Sequence, residues 1–148
     1  MNSTLNFAYF AGGCFWCTEA IYLKIRGVIS VLPGYAGGHL ANPTYEQVCS
    51  GDSGHTELIK IEYDSKEIDY LSLVDIFFNT HDPTTLNRQG NDSGTQYRSA
   101  IFCINEDEKR TVTNFIKSLH NSDKIVTEVN LLEVFYPAED YHKNYYNM

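Results

Sequence analysis

The chain has 148 residues, 43% of them apolar, which fits one domain over 1–148 with a hydrophobic core and no need of disulfide staples. A formal charge of −8 leaves no basic footprint for a phosphate backbone, so nucleic-acid binding is not expected. No stretch approaches the ~20 apolar residues of a membrane span. The first residues lack the basic and apolar regions of a secretory leader, so the expectation is a cytoplasmic protein, taken as a monomer.

In chain order, residues 7–11 are an apolar run closed by Gly12-Gly13 and read as a buried strand. Residues 14–25 shift to helical spacing, and Gly27 ends that helix. Residues 28–35 read as a strand with an irregularity at Pro33-Gly34, followed by a glycine-rich loop from Gly37 to Pro43. A short helix is predicted over 45–49, an alternating strand over 57–63 and an apolar-striped helix over 71–79. Residues 81–97, dense in Asp, Asn, Gly, Thr and Pro, form a long loop of the kind that usually does something. A strand over 99–104 and an amphipathic helix over 107–119, acidic in its first turn, come next. Residues 126–135 are strand-like, and the tail from Ala138 is predicted helical. Strands and helices mix without even alternation, which favours an α+β two-layer sandwich with helices packed on an antiparallel or mixed sheet.

Four cysteines stand at 14, 17, 49 and 103. Cys14 follows a strand and two glycines, where a helix should begin. Unpaired N–H groups and the positive dipole end favour a thiolate there. The bland alternative is a buried structural cysteine. Cys17 lies one turn on, on the same face, and is either a second redox thiol or a core cysteine. Zinc would need two more ligands at close spacing; Cys49 and Cys103 stand alone and the histidines are scattered, so no metal is expected. Phe15 and Trp16 flank the sulfur and suggest an apolar pocket for a methyl-bearing or thioether-like group. Glu57, from the bare sequence, reads as a solvated strand-edge carboxylate.

The run Gly13-Cys14-Phe15-Trp16-Cys17-Thr18-Glu19 resembles the signature of A-type peptide methionine sulfoxide reductases. The resemblance continues, in order, through Gly34-Tyr35-Ala36-Gly37-Gly38, Pro43-Thr44-Tyr45, Val48-Cys49-Ser50-Gly51 and Gly54-His55-Thr56-Glu57. It extends through His81-Asp82-Pro83-Thr84, the block from Asn91 to Ser99, and Ala138-Glu139-Asp140-Tyr141-His142. It implies a ferredoxin-like α+β fold and reduction of the S-epimer of methionine sulfoxide, free or in proteins, in protein repair. Thioredoxin or another dithiol would be the external reductant, with no bound cofactor.

The same resemblance implies roles: Cys14 as nucleophile, Glu57 as a buried acid, and Tyr45 and Tyr97 as donors to the sulfoxide oxygen. Phe15 and Trp16 would seat the methyl group, Asp92 would orient substrate, and His142 would lie near the site. Many members carry recycling cysteines in a glycine-rich C-terminal tail, whereas this sequence ends Tyr145-Tyr146-Asn147-Met148. The resolving thiol is then Cys17, Cys49, Cys103 or an external one, with Cys17 favoured by helical spacing. A general thiol–disulfide oxidoreductase using Cys14 and Cys17, and a binding module without turnover, are the competing readings.

Overall fold

The computed structural model describes residues 5–13, 15–39, 43–49, 53–89 and 92–138, without the side chains of Phe15, Tyr45 and Cys49. Cys14, His142 and the tail expected to be helical lie outside the described residues. The elements are β1 (Leu5–Gly12), α1 (Phe15–Tyr22), β2 (Val28–Ala36), α2 (Tyr45–Cys49), β3 (Thr56–Asp64) and α3 (Tyr70–Thr80). The two-residue strands β4 (Arg88–Gln89) and β5 (Asp92–Ser93) and a 3-10 turn (Thr95–Tyr97) precede β6 (Ser99–Cys103) and α4 (Glu106–Ser118). A second 3-10 turn (Ser122–Lys124) leads to β7 (Glu128–Leu131) and β8 (Tyr136–Pro137).

The main sheet has six strands in the order β7-β6-β1-β3-β2-β8. All pairings are antiparallel except β6 with β7, so the sheet is mixed. The inner order β6-β1-β3-β2, with α1 and α3 as crossovers, is the ferredoxin-like arrangement expected from the resemblance. Strand alternation divides the core. Phe10, Ile59, Ile61 and Tyr35 pack with Tyr22 of α1, Leu73 and Phe77 of α3 and Val112 of α4. Tyr9, Ala11, Leu58 and Phe102 face the other way, where Leu132 and Phe135 cover them.

Several expectations change in detail. The irregularity in β2 falls between Val28 and Ser30, while Pro33 and Gly34 pair regularly with Ile59 and Leu58. Pro33 has no N–H to give the ladder, but its carbonyl accepts from Ala138 N–H at 2.9 Å, just beyond the short strand β8. The first helix stops at Tyr22, and Gly27 (φ 98°) takes the left-handed conformation that returns the chain to β2. Residues 126–135 split: β7 ends at Leu131, and 132–135 leave its line, with Leu132 and Phe135 packing on the reverse face before β8 at the far edge. The described residues of the polar stretch 81–97 carry two short paired strands and a 3-10 turn.

Candidate active site

The antiparallel pairings bring the ends of β1 and β2 and the starts of β3 and β6 to one end of the sheet. Gly13, with φ 98°, turns the chain from β1 toward α1, so residue 14 sits between a strand end and a helix start. Trp16 is half-buried and packs against the helix-side core. Cys17 is exposed and lines a cavity of about 40 Å³ with Gly12, Thr18, Ile21, Phe77, Thr80 and His81.

Glu57 is 1% exposed and lies on β3, a central strand, in register with buried Tyr35 of β2. The solvated-edge reading of this carboxylate is therefore wrong. Its parity with Ile59 and Ile61 turns it to the helix side. Continuing the β1–β3 register two residues past Phe10 and Ile59 sets it level with Gly12. The approach to β3 is fixed from outside. Gly38 N–H donates to His55 Nδ1 at 3.0 Å, and His39 N–H donates to the Ser53 carbonyl at 3.0 Å. His55 is buried with its ring edge-on to Tyr136. A Cβ at Gly38 would lie 2.3 Å from His55 N, so only glycine allows this crossing.

Tyr97 ends the 3-10 turn and is half-buried. The Thr56 hydroxyl donates to the Gln96 carbonyl at 2.9 Å, which carries Tyr97 beside the start of β3 and Glu57. Tyr45 opens α2, whose start is a capping box: Gln47 N–H donates to Thr44 Oγ1 at 3.2 Å and Thr44 N–H to Gln47 Oε1 at 2.8 Å. Asp92 is exposed on the β4–β5 hairpin, paired in register with Gln89. That hairpin is clamped to the turn at Gly13. The Gln89 amide accepts from Asp82 N–H at 2.9 Å and donates to the Asp82 carbonyl, while its methylenes cover Gly13. Asp82 accepts from the Thr84 hydroxyl (2.5 Å) and N–H (2.9 Å), bonds that hold its carboxyl below the usual range.

Cys103 is fully buried on β6, with Tyr70 Oη 4.0 Å from its sulfur, and burial pushes its thiol up to about 11. Among the described residues no group of His, Cys, Asp or Glu is arranged to hold a metal ion. A groove of about 540 Å³ runs past His39, His55, Phe102, Leu131 and Tyr136, but Gly12 and Cys17 do not line it. Sequence reasoning did not single out Gln89, or His81 and Ser99 as individuals. Nothing in the sequence links these positions to the double glycine, because only the sheet register and the loop bonds bring them together.

The fold and this end of it define a ferredoxin-like α+β protein with a carboxylate buried on a central strand, level with the strand end that leads into α1. The model of the family "Peptide methionine sulfoxide reductase" matches residues 6–148. The chain is 58% identical to peptide methionine sulfoxide reductase MsrA of Acinetobacter baumannii (strain AYE), over 94% of this chain and 81% of that protein. It is 52% identical to the MsrA of Saccharolobus solfataricus, over 97% and 82% respectively. Reduced Mxr1 from Saccharomyces cerevisiae superposes with a TM-score of 0.93 at 34% identity, covering 98% of this chain and 86% of that one. The chain belongs to the peptide methionine sulfoxide reductase family.

Proposed function

We propose that this protein reduces the S-epimer of methionine sulfoxide, protein-bound or free, with Cys14 as nucleophile. The observation that carries the reading is the buried Glu57, level with the end of β1 and turned to the side where α1 begins. A carboxyl so buried favours its neutral form and can donate a proton to the sulfoxide oxygen. Tyr97, carried beside it, and Tyr45 at the start of α2 are proposed as donors to the same oxygen. Phe15 and Trp16 are proposed to seat the methyl group, and Asp92 and His142 to orient the substrate.

The Cys14 thiolate attacks the sulfoxide sulfur, the oxygen is protonated and transferred, and methionine leaves with Cys14 as a sulfenic acid. A second thiol then condenses with the sulfenic acid, releasing water and forming a disulfide. Cys17 is proposed for that step because it is exposed one helical turn from residue 14. Cys103 is unsuited, being fully buried with a raised thiol pKa. Thioredoxin is the proposed reductant of the disulfide; a structure of the yeast protein Mxr1 in complex with Trx2 supports that partner. A reducing, cytoplasmic setting is part of the proposal, since the cycle needs the thiols restored. The test is turnover of the separated epimers with dithiothreitol and with thioredoxin. Inactivity on the S-epimer, or full activity in Cys14→Ser, refutes the reading.

A further inference from the structure

His81 follows the last residue of α3, and its ring lies 3.9 Å from that of Phe77, centroid to centroid. Its Nδ1 is 2.6 Å from the Phe77 carbonyl oxygen and its Nε2 is 2.8 Å from Ser99 Oγ. Ser99 Oγ is in turn 2.7 Å from Thr127 Oγ1. A carbonyl only accepts, so Nδ1 carries the proton. In the neutral ring Nε2 then offers its lone pair, Ser99 donates to it, and Thr127 donates to Ser99. One carbonyl thus sets the direction of the whole chain.

What this chain holds is the end of β1. Ser99 is the register partner of Gly12 across the β1–β6 pair. A Cβ at Gly12 would come within 2.9 Å of Phe77 Cε1 and 3.2 Å of His81 Cγ, so the ring is packed directly on that residue. We propose that His81, as the neutral Nδ1–H imidazole, is a positioning residue that fixes the Gly12–Ser99 pair and so aims the turn bearing Cys14. The proposal rests on Cys14 being the nucleophile. Both ring nitrogens are engaged, so His81 acts through the backbone and not as an acid or base.

Protonation would turn Nε2 into a donor to Ser99, so the Ser99 hydroxyl loses its acceptor on the ring and the His81–Ser99 bond reverses. Among the described residues, the titratable groups facing the ring are Asp82, next in the chain, and Cys17 of α1 across the small cavity. The other neighbours are the Phe77 and Phe78 rings and the hydroxyls of Thr80 and Ser99. Burial lowers the histidine pKa against the opposing pull of the Phe77 carbonyl and Asp82. The device is therefore intact at neutral pH and fails on the acid side.

The wild-type protein answers first, through nitrogen-resolved imidazole NMR. Nδ1 should be protonated and Nε2 bare at pH 7; an Nε2–H tautomer overturns the proposal. Ser99→Ala then removes the donor while keeping the ring on Gly12. The single-turnover rate should fall about tenfold, with half-saturation moving less than about twofold, because orientation and not binding is lost. An unchanged rate, or rate and half-saturation moving together, overturns it. Wild-type inactivity on methionine sulfoxide would refute the proposed activity alone; the positioning role is then read from the Cys14 alkylation rate by iodoacetamide. That rate should fall in Ser99→Ala, and an unaltered rate counts against the role.

Discussion

Gly13→Ala should be among the most damaging single-atom additions to this protein. Gly13 holds φ 98°, outside what a side-chain-bearing residue adopts without strain, at a cost of about 1–3 kcal/mol. The new Cβ would also sit 2.8 Å from Gln89 Cβ and 2.9 Å from Cγ, and such overpacking adds about 1–3 kcal/mol. Gln89 cannot swing aside cheaply, because its amide bonds both the N–H and the carbonyl of Asp82. A total of about 3 kcal/mol, against the roughly 5–15 kcal/mol that holds a domain folded, lowers the melting temperature by about 6–12 °C. Urea unfolding of wild type, Gly13→Ala, Gln89→Gly and the double variant separates the two parts. Backbone strain persists in the double variant, while the contact with Gln89 vanishes. A favourable coupling of about 1 kcal/mol or more is expected. A Gly13→Ala protein within about 0.5 kcal/mol of wild type, or additive single effects, would refute the reasoning.

Glu57→Gln keeps shape and removes the acid; stopped-flow single turnovers should slow by about 10²–10⁴ while thermal stability changes little. Cys103→Ala should cost about 1–2 kcal/mol in urea unfolding yet leave thioredoxin-linked turnover intact. Cys17→Ser should instead leave the sulfenic acid uncondensed, visible by mass spectrometry after one substrate equivalent; a wild-type-like disulfide in that variant would exclude Cys17. Burial raises the phenol of Tyr63 to about 12 and those of Tyr22 and Tyr70 further. The unfolded chain therefore loses these protons first, and stability present below about pH 10 should fall as pH rises past it. Denaturant midpoints across that range check the sign.

The alternating run 57–63 and the apolar run 7–11 were legible as strands because burial on a sheet demands that patterning. The ferredoxin-like order came through resemblance, since propensity does not say which strand is central. The same gap explains Glu57: a carboxylate at a strand start reads as solvated until the sheet order places β3 inside. Residues 81–89 looked like a bare loop because they are held by side-chain-to-backbone bonds, such as Gln89 on Asp82 and Thr85 Oγ1 on the Arg88 carbonyl. Those bonds leave no periodicity. The break within 126–135 was invisible for a related reason, since Leu132 and Phe135 are as apolar as strand residues but pack outside the line of β7.

β1 comes first in the chain, yet its two sheet neighbours are β3 and β6, which end at Asp64 and Cys103. During synthesis the strand that leads into Gly13 therefore gains its first partner only with β3, complete at Asp64, and its second only with β6, complete at Cys103. Such non-local pairings close slowly. Until they do, Gly12 and Gly13 lack the strand pairing that turns the chain toward α1. The turn after β1 is thus finished late, by Gln89 packed on Gly13 and Ser99 paired with Gly12.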